Sequence, residues 1–432
     1  MIRMMALAIF LLCSSPALVN AGNGVILQSP DANHRCNKLV GGELAKLVCF
    51  WTDYENDRIK AKEITTPMLK LDKFEILNLE NNKREKWGIK KKLFTQRVAT
   101  IFTLTDREDV LLKYEINCDS PNAIHPLVKE AIILSLVGDL GISPKFFYLS
   151  APQKFIYDPR SVKTLVRSQP WELQKCARES RSVVRVIAME NAGTSVAVLT
   201  EEKSDLQKLK AHGFDKGYPR GLPLREALEI GIKLLQNLEK LHGKGIAHGD
   251  VHAGNVAVKK GVKEKFEVKL IDYGFAFFPK DFVKRKIQQS TPFSLIHIFY
   301  SPWFLRGERH GFRDDLFDAM NVFAVLVNGD SFTQYCLHLA AVDRRKRSKG
   351  IVLNEKTSEL FKFKNTAKYF QIPSFNGVPA RDPLTGLAAP IQDNLNQAIA
   401  KARNQPDVNA PAPIAAVRAH LEAALKLVRT GN

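Results

Sequence analysis

The sequence predicts an α+β fold of two lobes, in which an antiparallel sheet with one helix precedes a mainly helical lobe. Short runs rich in β-branched and apolar residues dominate residues 97–190. Longer segments with apolar residues at helical spacing dominate from residue 223 onwards. The chain has 432 residues, 45% of them hydrophobic and 25% charged, so it is long enough for such a domain with extensions.

The sheet is predicted from runs of strand-forming residues. RVATIFTLT (97–105) and DVLLKYEI (109–116) flank a charged turn and should form an antiparallel hairpin. FFYLS (146–150) and VVRVIAME (183–190) are further candidate strands. Between the hairpin and these strands, PLVKEAIILSLVGDL, which ends before Gly141, has the apolar spacing of the single helix.

Three later segments predict the helical lobe. PLREALEIGIKLLQNLEKLH (223–242) places its apolar residues on one stripe, which is typical of a helix at the surface of a core. DDLFDAMNVFAVLVNG (314–329) is apolar almost all round and should be buried. PIAAVRAHLEAALKLV (413–428) carries mixed charges on its polar face, which favours a docking helix over a membrane helix.

Changes in composition suggest the boundaries of four parts. We expect a signal peptide at 1–21, an N-terminal extension at 22–91, the two-lobed domain at 92–372, and a Pro- and Ala-rich tail with a terminal helix at 373–432. The charged run 81–92 is interpreted as a linker or an exposed connection.

The first 21 residues have the three parts of a secretory signal. Arg3 supplies positive charge, Met4 to Cys13 are apolar, and Val19-Asn20-Ala21 is a small-residue cleavage site. The apolar run is too short to span a bilayer, and no later run reaches about 18 apolar residues. We therefore expect no transmembrane segment, and a protein that is secreted or lies in the lumen of the secretory pathway.

Cysteine and charge limit the class of partner less sharply. Cys36 and Cys49 could form a disulfide in an oxidising compartment, or all five cysteines after the leader could be free thiols. The net charge of +19 fits a solvated basic surface, or attraction to acidic or membrane-associated protein substrates. Nucleic acid is not expected, because no basic stripe has interleaved aromatic residues, and no oligomeric state is predicted.

Two motifs carry candidate chemistry. In HGDVHAGN (248–255), Asp250 is followed five residues later by Asn255, and Asp272 follows the apolar strand VKLI. Phosphoryl transfer needs such a set, in which one carboxylate orients the attacking hydroxyl while an amide and a second carboxylate hold Mg²⁺. Taken singly, Asp250 and Asn255 could equally be turn residues.

Five segments in the same order resemble the protein kinases, in particular casein kinase 1 and the vaccinia-related kinases, over residues 92–370. They are DVLLKYEINC, HPLVKEAIILSLVGDLGISPKFFY, MENAGTSV, LIDYGFA and SPWFLRGERHGFRDDLFDAMNVFAVLVNG. The resemblance implies a protein-kinase-like fold that binds ATP and Mg²⁺. It also implies that Lys113 holds the α- and β-phosphates and pairs with Glu130. An ordinary surface ion pair is the alternative for these two residues.

The same resemblance assigns the remaining site residues. Asp250 would accept or orient the substrate hydroxyl, and Asn255 and Asp272 would bind Mg²⁺. For the adenine site it implies a gatekeeper at Met189, backbone hydrogen bonds from Glu190 to Ala192, a roof at Leu111 and a floor at Ala257. The residues that lock the two lobes of an active kinase correspond to Leu134, His248, Tyr273 and Asp315.

The sequence departs from the kinase pattern around the phosphates. The hairpin FTQRVATIFTLTDREDVLLK (94–113) has no glycine, and this absence together with the leader resembles the secreted coccidian with-no-Gly-loop kinases. Leu111 and Ala257 stand where Ala and Leu are usual, as if the two volumes were exchanged. Gly249 replaces the usual Arg, which implies activity that is independent of loop phosphorylation. His252 replaces a Lys that contacts the γ-phosphate, and HGD-x-H-x-GN is also similar to aminoglycoside phosphotransferases.

The implied function is a secreted, ATP-dependent Ser/Thr protein kinase without a glycine-rich loop. Two alternatives stay open at this point. The absent glycines and Leu111 favour a pseudokinase scaffold, and His252 favours a small-molecule phosphotransferase.

Overall fold

A computed structural model describes most of the chain after residue 98 and several strands before it. The described residues are 18–21, 25–28, 63–64, 73–78, 83–95, 99–105, 107–118, 126–149, 153–155, 182–202, 204–261, 265–279, 301, 303, 311–351, 353, 356–364, 369–404 and 411–431. The chain forms two compact units, residues 1–191 and residues 192–432.

The first unit is built mainly from strands. They are β1 (Leu18–Ala21), β2 (Val25–Gln28), β3 (Glu63–Ile64), β4 (Lys73–Asn78), β5 (Lys83–Thr95), β6 (Ala99–Leu104), β7 (Val110–Cys118), β8 (Phe146–Leu149), β9 (Gln153–Phe155) and β10 (Ser182–Glu190). Strands β1 and β2 form a separate hairpin, and the others form one sheet in the order β3-β9-β10-β7-β6-β5-β4, with β8 also paired to β10. Apart from the short β3–β9 pair, the sheet is antiparallel, as predicted.

The predicted hairpin and helix of the first unit are confirmed. Strands β6 and β7 pair in register from Ala99↔Glu115 to Thr103↔Leu111. Helix α1 (Pro126–Val137) continues into a 3-10 turn, and Gly141 follows with φ 68°, a left-handed conformation that glycine adopts without strain.

The charged run 81–92, which the sequence suggested to be a linker or an exposed connection, is a strand over residues 83–92. These residues lie within β5, which pairs with β4 over residues 83–88 and with β6 over residues 89–95. The predicted domain boundary at residue 92 falls inside this strand. Ladder hydrogen bonds to these two neighbours hold the segment as a strand despite its charged composition.

The second unit is mainly helical. Its elements are β11 (Thr194–Ser195), α2 (Val196–Thr200), α3 (Leu206–Ala211), α4 (Leu224–Gly243), β12 (Val256–Lys260), β13 (Phe266–Leu270), α5 (Phe312–Asn328), α6 (Asp330–Ser348), α7 (Glu359–Lys364), α8 (Ala389–Arg403) and α9 (Ile414–Thr430). Helix α4 buries the predicted stripe, and α5 is buried along almost its whole length, as its all-round apolarity predicted.

Helices α4, α5 and α9 meet at Gly231. A Cβ atom there would lie 2.8 Å from the ring of Phe323 and 3.6 Å from Leu421, so the small residue permits the close approach. Ion pairs Arg418–Glu239 at 3.2 Å and Arg429–Glu229 at 2.9 Å join α9 to α4 at the surface. The predicted docking role of the terminal helix is therefore confirmed.

The predicted Pro- and Ala-rich tail at 373–432 contains a second helix, α8, which the sequence analysis did not predict. This helix buries Ile391, Leu395 and Ile399, and α9 packs against it, with His420 Nδ1 lying 3.2 Å from Asn394 Oδ1. The spacing of the buried residues is helical, but the neighbouring Pro, Asn and Ala concealed it. The two helices therefore continue the core of the second unit.

Several predictions lie outside the described residues. These include the apolar part of the leader and the cysteines at positions 36, 49 and 176. Cys336 is described, and it is a buried free thiol. Within the part of the chain that the structure describes, no helix combines the length and apolarity needed to cross a membrane.

Candidate active site

In the first unit, Lys113 and Glu130 form a buried ion pair. Strand β7 places Lys113 opposite Ile187 of β10, and α1 carries Glu130. Lys113 Nζ lies 2.7 Å from Glu130 Oε2, with the two side chains only 7% and 2% exposed. The alternative of an ordinary surface pair is therefore wrong. Because desolvation makes a buried pair a poor source of stability, a functional role for these charges is favoured.

The predicted gatekeeper lies in the same sheet. Met189 is buried and pairs with Leu111 across the β7–β10 ladder. Beside it, the backbone N–H of Glu190 donates to Lys145 O at 2.9 Å, and Glu190 Oε2 accepts from the backbone N–H of Lys145 at 2.9 Å. These bonds fix the end of β10. Asn191 is held as well, since its backbone N–H donates to Asp109 O at 2.7 Å.

The other predicted adenine-site residues belong to the second unit. Ala192 is its first residue and is buried. Ala257 is 1% exposed and pairs with Ser195 where β12 meets β11. Its methyl side chain supplies less bulk at this buried position than a leucine would.

A fully buried carboxylate anchors the HGDVHAGN loop of the second unit. Asp315, in the first turn of α5, accepts hydrogen bonds from the backbone N–H groups of His248 at 2.7 Å and Gly249 at 2.9 Å. It also lies 3.0 Å from Nε2 of His242 at the end of α4. Since a carboxylate only accepts, Nε2 of His242 carries the proton in this contact. One side chain thus ties two helices to the loop, and the contribution of His242 was missed from the sequence.

Within the loop, Asp250 and Asn255 are brought together. Asn255 Nδ2 donates to the backbone oxygen of Asp250 at 2.9 Å and to its Oδ2 at 3.0 Å. Because both bonds use the amino group, the amide oxygen of Asn255 is directed away from Asp250. Asn255 is buried, and it is the last residue of the 3-10 turn Ala253–Asn255, which leads directly into β12. The side chains of Asp250 and Asn255 are therefore joined by a hydrogen bond within the loop.

Asp272 lies beside this loop in an unusual backbone conformation. Its φ and ψ of 63° and 70° are left-handed, which a non-glycine residue adopts at some cost. The preceding residue, Ile271, donates its N–H to Asn255 O at 2.9 Å, and its carbonyl lies 3.1 Å from His248 Nε2. An amide oxygen and a carboxylate are the hard ligands that Mg²⁺ takes together with phosphate oxygens, so Asn255 and Asp272 fit this metal.

His248 is a neutral, buried ring in this arrangement. It packs against Tyr273 with ring centroids 4.8 Å apart, and Nε2–H donates to Ile271 O. Burial lowers the pKa of His248 below its usual 6.5, although the carboxylates of Asp315, Asp250 and Asp272 act in the opposite direction. Leu134, the predicted partner position in the first unit, is also buried.

Gly249 occupies a position that only glycine fits. Its φ is 76°, and a Cβ atom there would lie 2.7 Å from Phe275 O and 3.0 Å from the ring of Phe277. The backbone N–H of Ala247 donates to Phe277 O at 2.8 Å, and the backbone N–H of Phe277 donates to Ala247 O at 3.0 Å. The carbonyl of Phe275 and the ring of Phe277 thus occupy the space that a side chain at this position would need. The role of Phe277 was not predicted from the sequence.

No protein-family model matches the chain. It is 28% identical over 189 residues to the serine/threonine-protein kinase zyg-8 of Caenorhabditis elegans, a match that covers 37% of this chain and 23% of that protein. The chain therefore spans about a quarter of the length of this curated relative.

Among solved structures, vaccinia-related kinase 3 is similar with a TM-score of 0.50 and 14% identity, over 88% of this chain and 96% of that one. The BubR1 kinase domain has a TM-score of 0.49 and 13% identity, over 89% and 91% of the two chains. The match to vaccinia-related kinase 3 confirms the two-lobed α+β fold expected from the sequence resemblance. The chain therefore has a protein-kinase-like fold.

Proposed function

We propose that this chain is a secreted, ATP-dependent Ser/Thr protein kinase that transfers the γ-phosphoryl group to protein hydroxyls. The observation that carries the proposal is the anchored loop of the second unit. Asp315 fixes its backbone, and Asn255 Nδ2 lies 3.0 Å from the carboxylate of Asp250. Catalysis of phosphoryl transfer is mostly positioning and charge stabilisation, and this loop supplies both.

Each polar group has a distinct role in the proposal. Asp250 orients the attacking hydroxyl and accepts its proton. Asn255 and Asp272 hold Mg²⁺, which neutralises charge on the β- and γ-phosphates. Lys113, kept in place by Glu130, binds the α- and β-phosphates, and the buried 2.7 Å pair supports this assignment.

The phosphates must be held without a glycine lid. Strands β5 and β6 pair up to Thr95↔Thr100, so a short connection joins them. That connection, like the whole stretch 89–137, contains no glycine, the residue whose backbone can approach phosphates most closely. Binding of the nucleotide phosphates therefore depends on Lys113 and the metal. Gly249 likewise leaves no arginine to bind a phosphorylated loop, so activity should survive phosphatase treatment.

Secretion and substrate class are also part of the proposal. The leader at 1–21 supports a location in the secretory pathway or outside the cell. The net charge of +19 supports acidic or membrane-associated protein substrates. The similarity to zyg-8, described as a serine/threonine-protein kinase, supports a hydroxyl acceptor on protein.

A transfer assay tests the proposal. The protein, purified from a secreting eukaryotic host, is incubated with Mg²⁺, γ-labelled ATP, and either acidic protein substrates such as casein or a panel of small hydroxyl compounds. We expect label on protein, and loss of that label in Asp250→Ala. Transfer only to small compounds would favour the phosphotransferase alternative, for which His252 and Gly249 provide the specific support.

The second candidate is a pseudokinase scaffold. It is favoured by Leu111, which stands at the position that the kinase resemblance assigns to the roof of the adenine site, and by the absent glycines. The discriminating observation is nucleotide binding, measured as a thermal shift with ADP in the presence and absence of Mg²⁺. A shift that requires Mg²⁺ supports the kinase, whereas no shift under either condition supports the scaffold.

A further inference from the structure

His252 accepts two backbone hydrogen bonds from the turn that carries Asn255. Its ring Nδ1 accepts the backbone N–H of Gly254 at 3.0 Å, and its carbonyl accepts the backbone N–H of Asn255 at 2.8 Å. The ring therefore serves as the N-cap of the 3-10 turn Ala253–Asn255. Caps of this kind satisfy backbone donors that a short turn leaves without internal partners.

Gly254 makes room for this cap. A Cβ atom at Gly254 would lie 2.7 Å from Cε1 and 2.9 Å from Nδ1 of the His252 ring. Real Cβ atoms do not approach other heavy atoms so closely, so any side chain here would push the imidazole away. The requirement is one of space, because Gly254 is not among the residues with positive φ. His252 and Gly254 are thus matched in shape.

The cap also fixes the tautomer of the ring. A nitrogen that accepts a hydrogen bond carries a lone pair, so the proton of the neutral imidazole lies on Nε2. Nε2 is 3.6 Å from Asp250 Oδ2. The ring therefore has its acceptor side on the turn of Asn255 and its donor side towards Asp250.

We propose that His252 is a positioning residue, which places Asn255 for metal binding by capping its turn as a hydrogen-bond acceptor. This inference rests on the proposed function, since it assigns how one metal ligand of that site is held. It differs from the role that the kinase resemblance implies, in which a cation at this position contacts the γ-phosphate. The two roles make opposite predictions for lysine.

Lysine cannot provide the cap, because its ammonium group has donors and no acceptor. Asparagine can, because its side-chain oxygen accepts from the backbone N–H two residues later in an Asx-turn. If the cap is what matters, His252→Asn should preserve the site and His252→Lys should damage it. If charge on the phosphate is what matters, the order should be reversed.

The first measurement needs no nucleotide. Hydrogen exchange of the segment 250–256 is followed by mass spectrometry in the wild type, His252→Asn, His252→Lys and Gly254→Ala. We expect exchange about 10-fold faster in the Lys and Ala variants, the effect of losing one ordinary hydrogen bond, and near-wild-type exchange in His252→Asn. Gly138→Ala is the matched control, since a Cβ atom there meets nothing within 4 Å.

The second measurement is the Mg²⁺ concentration that gives half-maximal ADP binding. It should rise about 10-fold in His252→Lys and Gly254→Ala, again by one hydrogen bond, and little in His252→Asn. The inference would be overturned if His252→Lys matched or surpassed His252→Asn in both measurements. It would also be overturned if His252→Asn lost as much protection and Mg²⁺ affinity as His252→Lys. If the wild type binds no nucleotide, the proposed function fails, while hydrogen exchange alone still decides the cap.

Discussion

The backbone N–H of His248 donates a 2.7 Å hydrogen bond to the buried carboxylate of Asp315, which lies 67 residues further along the chain. The same carboxylate accepts from Gly249 and contacts His242. A single acid in the first turn of α5 thereby fixes the backbone of the HGDVHAGN loop. Its N-terminal place in the helix also suits a negative charge.

Asp315→Ala should destabilise the protein and misplace the loop. The substitution removes a charged acceptor and leaves buried N–H donors without their partner, which should cost about 3 kcal/mol. Urea unfolding gives the loss of stability, and the transfer assay should show a matching loss of activity. Asp314→Ala removes the other acid of the first turn, and comparing the two variants shows whether the loss of activity is specific to Asp315. A stability loss below about 1 kcal/mol for Asp315→Ala would show that the anchor is unimportant.

The Lys113–Glu130 pair should contribute to activity much more than to stability. Lys113→Met should lower transfer by about 10²–10³-fold, the usual effect of removing one electrostatic stabiliser. It also leaves a buried carboxylate uncompensated, so stability should fall. The double variant Lys113→Met/Glu130→Leu should regain that stability without regaining activity. Recovery of activity in the double variant would refute the assigned role of Lys113.

Gly249→Ala should be destabilising although the change adds one methyl group. The backbone has a φ of 76°, and the new Cβ would overlap Phe275 O at 2.7 Å. Such strain costs about 1–3 kcal/mol. The matched control is Gly245→Ala, which has φ 74° but open space around its Cβ, so the difference between the two isolates the steric contact with Phe275. Equal losses, measured by thermal unfolding, would mean that conformation alone matters.

Acid should destabilise the second unit through His248. Because the folded-state pKa of His248 lies below 6.5, the unfolded chain binds more protons than the folded chain in the window below about 6.5. Stability therefore rises with pH in that window, and this contribution is complete above it. His248→Gln keeps a donor for Ile271 O and cannot titrate. Between pH 5 and 6.5 its unfolding free energy should fall less steeply, by up to about 1.4 kcal/mol per pH unit. Parallel slopes would exclude His248 as the cause.

Strong periodic patterns were sufficient to predict the main helices. Helices α4 and α5 follow directly from their apolar spacing, and the β6–β7 hairpin from its β-branched runs. Strand β5 was missed because its lysines masked a segment that two neighbouring strands hold, which is a tertiary effect. Helix α8 was not predicted because the Pro and Asn residues in and around it obscure the helical spacing of Ile391, Leu395 and Ile399.

The site was predictable in its residue types but not in its support. Asp250, Asn255 and Asp272 could be chosen from their spacing, since the chemistry requires an acid, an amide and an acid. The contact of His242 with Asp315, and the packing of Phe277 against Gly249, join residues that lie far apart in the chain or on different elements. No local pattern encodes such contacts, so they required the folded structure.

In the proposed site, Asp250 orients the attacking hydroxyl, whereas Asn255 and Asp272 hold Mg²⁺, so the two roles should be separable. The most direct measurement compares Mg²⁺-dependent ADP binding and phosphoryl transfer in Asp250→Ala and Asp272→Ala. We expect Asp250→Ala to bind Mg²⁺ and ADP like the wild type but to lose transfer by at least about 10²-fold, whereas Asp272→Ala should lose Mg²⁺-dependent binding itself. Wild-type transfer rates in Asp250→Ala, or unchanged Mg²⁺ dependence in Asp272→Ala, would contradict it.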